Sequence, residues 1–220
     1  MKSKLLISFA IFILSSVYCF AQTRLSVTSD FSLQRALNKQ QRYWAFGQTI
    51  GLQLGLSAKD AAYFSFAYYS NGKVSTALEA VAKSPATTPE RIAYTNQAKI
   101  GLRQMSVGWR HYLKGNFASE EWSIYSLLGF GLLFGTANNS LTMPVDSSLY
   151  NLAVMPGKGR FKRLTYDLGL GFEQPMGGDI FFYGELKTFI PSTDYPSQYL
   201  YVSDDAPLSA YFNLGFRILF

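Results

Sequence analysis

Cysteine and histidine are almost missing from this sequence, with one of each in 220 residues. The cysteine, Cys19, sits in an opening segment unlike the rest. Lys2 and Lys4 give it a positive start, residues 5–17 are almost wholly apolar, and Cys19 and Ala21 place small side chains just before a cut after Ala21. That is the layout of a secretory signal peptide, so residues 1–21 are expected to be removed and residues 22–220 to form the mature protein. The apolar run falls short of the roughly twenty residues that a membrane-spanning helix needs. Tyr18, bulky where a lipid-anchoring signal carries a small residue, speaks against an anchor on Cys19. Without Cys19 the mature chain has no disulfide, no thiolate and no cysteine-based zinc site. One histidine, His111, does not make a transition-metal centre either. No cofactor is expected.

Charge is scarce as well. Charged residues make up 15% of the chain, against about 25% in an average protein. Removing Lys2 and Lys4 takes the net charge from +6 to +4, eighteen Lys and Arg against fourteen Asp and Glu. That balance is too mild to point to a nucleic-acid partner. After residue 21 no stretch approaches a helical membrane span. What the chain has instead is 16% aromatic residues and eighteen glycines. About two hundred mature residues make one domain. Aromatics and glycines with few charges and no long apolar run are what a membrane β-barrel requires. Its strands alternate apolar-out with polar-or-small-in, which hides the membrane signal from a running average.

The alternation is present in segment after segment. Over 164–173, Leu164, Tyr166, Leu168, Leu170 and Phe172 take one face and Thr165, Asp167, Gly169, Gly171 and Glu173 the other. Residues 44–57 and 122–135 each alternate with one exception, Gln48 and Ser126. Segments 25–33, 62–68 and 180–187 follow the same rule, with Phe181 and Phe189 as apolar intruders on the polar face. Residues 99–113 are the least regular, because Ile100 and Leu102 are out of phase with Met105, Val107 and Trp109; a β-bulge near Arg103 is expected there. A last segment from Leu208 to Phe220 brings the number to eight.

The connections also alternate. Residues 58–60, 114–121 and 174–179 are short links, whereas 71–96, 138–159 and 191–207 are long and rich in Ser, Thr, Asn, Asp and Pro. Short turns at one end and long loops at the other predict a closed antiparallel up-and-down transmembrane β-barrel, all-β, with the short turns and both chain ends on the periplasmic side. The long loops leave room for an extra hairpin, so ten strands is the alternative. Eight strands enclose just enough space for their own side chains. Asp30, Arg110, Asp167, Glu173, Glu185, Lys187 and Arg217 all fall on the inward face. Buried charges must pair, so they are expected to form a salt-bridge and hydrogen-bond network that plugs the lumen, with the inward glycines giving it room.

In the closing segment the run Asn213-Leu214-Gly215-Phe216-Arg217-Ile218-Leu219-Phe220 resembles the C-terminal β-signal of bacterial outer-membrane proteins. Its marks are the polar Asn213, Gly215 two residues on, and apolar or aromatic side chains at Ile218 and Phe220. The resemblance implies recognition by the barrel-assembly machinery, with the last strand pairing with the first near 25–33. Over its whole mature length the chain is similar to the small OmpA/OmpX-type barrels, which implies a bacterial outer-membrane location. The peptidoglycan-binding domain that some relatives carry after the barrel has no counterpart after Phe220 in this sequence.

Four further groups are candidate sites. Lys158, Arg160, Lys162 and Arg163 cluster where the second long loop re-enters the barrel, and could pair with phosphates or carboxylates of outer-leaflet glycolipid. Tyr195, Tyr199 and Tyr201 beside Asp194, Asp204 and Asp205 in the third loop are suited to packing over the barrel mouth or to binding a partner. Tyr43, Trp44, Trp109, Tyr112 and Trp122 fall near strand ends, where membrane proteins place aromatic girdles. His111, next to the short link at 114–121, is the one histidine that could activate a serine, and it lies at the wrong end for outer-leaflet chemistry. The expectation is therefore a non-enzymatic surface barrel for envelope integrity or binding. A subunit of a larger secretion or assembly complex, or a narrow channel, are the alternatives. Protein partners, if any, would meet the loops 71–96, 138–159 and 191–207.

Overall fold

A computed structural model describes residues 24–37, 42–194 and 208–220. The expected signal peptide, residues 1–21, and the loop tyrosines Tyr195, Tyr199 and Tyr201, with Asp204 and Asp205, lie outside the described residues. The strands are β1 (Leu25–Ala36), β2 (Trp44–Gly55), β3 (Asp60–Ala82), β4 (Arg91–Lys114), β5 (Ser123–Leu141), β6 (Tyr150–Asn151), β7 (Gly157–Gly177), β8 (Ile180–Pro191) and β9 (Ser209–Leu219). Each of the eight long strands pairs antiparallel with its neighbour in the chain, and β9 returns to β1 from Ser26↔Leu219 to Ala36↔Ser209. The sheet is a closed eight-stranded barrel. The two-residue β6 is not a ninth stave: it pairs only with Val81 and Ala82 at the far end of β3.

The barrel is apolar outside and charged inside. Leu128, Phe130, Leu164 and Leu170 are 57–63% exposed, while Arg110, Glu173 and Arg217 are at most 2% exposed. A water-soluble monomer rarely shows a continuous apolar patch beyond a few hundred Å2. On β7 every outward residue between Lys162 and Gln174 is apolar: Leu164, Tyr166, Leu168, Leu170 and Phe172. That interval spans roughly 40 Å of strand and, at a tilt of about 40°, roughly 30 Å along the barrel axis. It matches the apolar band of a membrane barrel.

Four expectations need correction. The segment 71–96 is mostly not a loop, because β3 and β4 continue as a hairpin as far as Val81↔Arg91 and only 83–90 connect them. In the same way 138–159 shrinks to 142–156, with β6 inside it. Ser, Thr and Asn favour loops, yet here they lie on strands that stand beyond the apolar band, where both faces can be polar. The irregularity foreseen near Arg103 lies on the partner strand, where the β3 register shifts between Tyr69 and Gly72 opposite β4. β4 itself keeps one phase throughout, so Ile100 and Leu102 point inward and are 4% and 3% exposed. Tyr43 and Tyr112 are likewise buried inside the barrel, at 9% and 0% exposure, and are not part of an outer girdle. Trp44, Trp109 and Trp122 do face out.

Candidate functional site

The lumen is filled in three tiers. At the long-loop end the plug is apolar: Ile100, Leu102, Leu133, Phe161, Phe189, Tyr69 and Tyr211 are all buried in one cluster. Tyr211 stacks between Phe189, 4.2 Å away between ring centroids, and Tyr69, 4.9 Å away. Gly47 makes this possible, since a Cβ there would fall 2.5 Å from the Tyr69 ring. The inward phase of an eight-stranded barrel thus need not be polar; it need only fit and be satisfied.

The middle tier is a hydrogen-bonded carboxylate layer. Asp30 accepts from the Ser32 hydroxyl at 2.6 Å, the Tyr183 hydroxyl at 2.7 Å, the Thr49 backbone N–H at 3.1 Å and the Asn213 amide at 3.3 Å. Asp167 accepts from Gln104 and Thr165, each at 2.8 Å. These two buried acids meet neutral donors. The remaining charges form a chain. Lys187 pairs with Glu185, whose Oε1 also receives Arg110 Nη2 at 2.7 Å and the Tyr125 hydroxyl at 2.9 Å. Arg110 pairs in turn with Glu173, and Arg217 closes a bidentate fork on Glu173 at 2.8 and 2.9 Å. Two parallel N–H···O bonds in a dry setting are the strongest form of this pair.

The third tier seals the short-turn end. The link between β4 and β5 folds under the barrel and places Phe117, 2% exposed, against Tyr112 and Arg217. Arg217 donates to the Phe117 carbonyl at 3.0 Å and lies 4.0 Å from the Phe181 ring centroid. Phe181 and Phe189, the apolar intruders of the sequence pattern, therefore each have a structural role: one stacks under a buried cation and the other belongs to the upper plug. A void of about 20 Å3 between Asp30, Arg110, Tyr183 and Lys187 has room for one water and not for a solute. All seven inward charges predicted from the pattern are brought together here. Missing from that prediction were the tyrosines 112, 125 and 183, whose hydroxyls satisfy the carboxylates. Only their inward phase hinted at this.

His111 faces outward at the short-turn end, 49% exposed, with Nδ1 2.7 Å from Asp60 Oδ1. Trp109 donates its indole N–H to the same oxygen at 3.0 Å. Among the described residues, the hydroxyl bonded to His111 is that of Ser126, and it reaches the backbone carbonyl and not the ring. The arrangement ties His111 and Trp109 of β4 to Asp60 at the start of β3. Among the described residues no group of three or more acidic, histidine or cysteine side chains is placed to hold a metal.

Beyond the band, β3, β4, β5 and β7 continue upward as a four-stranded sheet with its own small core of Leu78, Ala80, Tyr94, Tyr150 and Val154. Pairing of β3 with β2 ends at Ser70, so among the described residues the edge of β3 from Lys73 to Ala80 pairs only with β4. The predicted basic cluster is split here. Lys158, Arg160 and Lys162 point outward from β7, whereas Arg163 turns inward and donates Nε to the Asp194 carbonyl at 2.7 Å. At the other end of the chain, Asn213 and Gly215 of the β-signal-like run face the lumen, and Ile218 and Phe220 face out.

The fold and its filled lumen define a class, the eight-stranded barrels of bacterial outer membranes. Among solved structures the chain is similar to Ail, the attachment invasion locus protein of Yersinia pestis, crystallised in complex with the heparin analogue sucrose octasulfate; identity is 12% and the TM-score 0.51, over 90% of this chain and 99% of that one. Neisserial surface protein A superimposes with a TM-score of 0.53 at 10% identity, over 89% and 97% of the two chains. A major outer membrane protein of Thermus thermophilus gives 0.50 at 11%, over 87% and 99%. No family model and no curated protein sequence matches the chain.

Proposed function

We propose that this protein is a non-enzymatic, non-conducting barrel of the bacterial outer membrane that holds a rigid binding sheet above the outer leaflet. In this reading the short turns and both chain ends are periplasmic. The observation that carries it is the sheet formed by the tops of β3, β4, β5 and β7. It continues the barrel wall for about ten residues past the last β2–β3 pair, roughly 33 Å of strand, and has its own apolar core. A lumen plugged at both ends supplies support and no path. An open strand edge is a template for an extended segment of another protein, through main-chain hydrogen bonds. Envelope integrity follows from the barrel alone, and surface binding from the sheet.

The test is made on whole cells. Trypsin is expected to cut between Lys83 and Arg91 in intact cells; cutting only after lysis would overturn the orientation. A variant in which residues 77–95 are replaced by Asn-Gly keeps the barrel and removes the hairpin tip. It is expected to retain the heat-modifiable gel shift and lose the partner proteins that cross-link to the wild-type barrel on cells. Identical partners for both forms would sink the sheet as the binding element. Conductance steps above leak in a planar bilayer would sink the plugged reading.

A further inference from the structure

The register of β4, β5 and β7 sets outward residues in three rows just above the apolar band. Lys99, Asn138 and Lys158 form the upper row, Gly101, Thr136 and Arg160 the middle, and Arg103, Phe134 and Lys162 the lower. Five cations therefore surround a floor made by Gly101, which has no side chain, and Thr136, whose hydroxyl turns down to the Gly101 carbonyl at 3.3 Å. Lys73 adds a sixth, directly opposite Lys99. With strands about 4.8 Å apart and residues two apart along a strand about 6.8 Å apart, the patch measures roughly 10 by 13 Å.

Nothing on the described surface neutralises it. Among the described residues none of the six has a carboxylate within salt-bridge distance, and Glu79, six residues further along β3 than Lys73, is paired with Arg91 at 3.5 Å. Like charges directly opposite on neighbouring strands are destabilising, so Lys73 beside Lys99 works against the fold unless an anion sits between them. The lowest cation row is interleaved with aromatic rings, and the row below it is apolar. Lys162 lies over the Phe134 ring and Arg103 over the Tyr68 ring, at 5.6 and 5.4 Å from the centroids, and Leu164, Met105 and Leu132 follow. A soluble anion has no use for that lower half. An anionic amphiphile fits both halves at once.

We infer that this face of β4, β5 and β7 is a docking site for a phosphorylated glycolipid of the surrounding leaflet. Its phosphates rest on the Gly101–Thr136 floor among Lys99, Arg103, Lys158, Arg160 and Lys162, and its acyl chains run down over Phe134 and Leu164. The inference rests on the membrane orientation proposed above. It differs from the four-residue cluster legible in the sequence: Arg163 leaves, and Lys99 and Arg103 join from a strand some sixty residues away in the chain.

The test is native mass spectrometry of the purified barrel in detergent, with a bis-phosphorylated acylated glucosamine disaccharide as probe. Retention is expected for the wild type and for Arg24→Gln/Lys59→Gln/Lys114→Gln, which loses equal charge at the opposite rim. It is expected to fall about a hundredfold for Lys99→Gln/Arg160→Gln/Lys162→Gln. Gly101→Leu fills the floor without removing charge and is expected to weaken retention about fivefold by crowding the phosphates. Every variant is scored only after it shows the heat-modifiable shift, so that loss of the barrel and loss of the site are separate results; if the triple variant fails that check, Arg160→Gln alone is scored. The same glycolipid without phosphates is expected to dissociate at least about tenfold more readily. Equal retention of both glycolipids, equal retention by the two triple variants, or full displacement by equimolar sucrose octasulfate would overturn the proposal, the last by showing a site for soluble anions.

Discussion

Gly215 stands opposite Asp30 across the seam where β9 meets β1, and a Cβ at position 215 would lie 2.5 Å from the Asp30 Cβ and 2.2 Å from the Ser29 carbonyl oxygen. Two residues away, Asn213 donates to Asp30. The polar residue and the glycine of the β-signal-like run therefore have a structural task in the finished barrel, which is to let the last strand approach the first and to bond its buried carboxylate. Gly215→Val is expected to destabilise the barrel by about 3 kcal/mol, the upper end for forcing extra atoms into a packed contact. Urea unfolding in vesicles, followed by tryptophan fluorescence, measures this. A variant as stable as wild type would show that the seam is looser than described.

Arg217 and Glu173 are both buried and bonded through a fork, with Arg110 and Tyr112 sharing the same carboxylate. Removing one partner of a buried ion pair leaves an uncompensated charge, at a cost of about 3–5 kcal/mol. Arg217→Met alone should therefore cost more than Arg217→Met combined with Glu173→Gln. A double-mutant cycle by urea unfolding is expected to give a coupling of at least about 1 kcal/mol. Simple additivity would count against the network as the element that holds the lumen shut.

His111 is half exposed and shares Asp60 with Trp109 at the rim. His111→Ala should leave the urea unfolding midpoint essentially unchanged, because contacts at an exposed rim contribute little. Phospholipid and glycolipid incubated with the wild-type barrel should remain intact, as judged by thin-layer chromatography. A hydrolysis product that disappears with His111→Ala would overturn the non-enzymatic reading.

Asp146 organises the connection between β5 and β6. Its carboxylate accepts first the Ser148 hydroxyl, at 2.7 Å, and then the Ser148 backbone N–H, at 2.8 Å, and these donors hold it below the usual carboxylate range. A lowered folded value means that the turn is fully supported above the ordinary carboxylate pKa and loses that support as pH falls through the lowered value. Protection of the Ser148 amide from hydrogen exchange, corrected for the intrinsic rate, is thus expected to stay constant from about pH 8 to 5 and to fall only in stronger acid. In Asp146→Ala it should be low throughout.

Much of the barrel was legible because a half-lipid, half-lumen strand has a period of two. A soluble sheet with one buried face shares that period, and the short and long connections were what spoke for a membrane barrel. The alternation in 164–173 and 208–220 located β7 and β9, and the seven inward charges followed from phase alone. What went unread had one of two causes. Ser, Thr, Asn and Lys in 71–82 and 91–99 carry no membrane pattern, so an extended hairpin outside the bilayer looked like a loop. Ile100 and Leu102 looked like an outer face interrupted by a bulge, because a sequence cannot tell an apolar lumen tier from an apolar lipid face.

The sequence by itself determined the architecture: eight amphipathic segments of period two, with the last of them, β9, closing on the first. Tertiary structure alone decided which inward groups meet. Arg110, Glu173, Glu185 and Arg217 come from β4, β7, β8 and β9, and Lys99, Arg103 and Arg160 from β4 and β7. Period two fixes the face on which a residue sits. Only the register between strands fixes its neighbour, and closure of the barrel depends on a shear that local sequence does not encode.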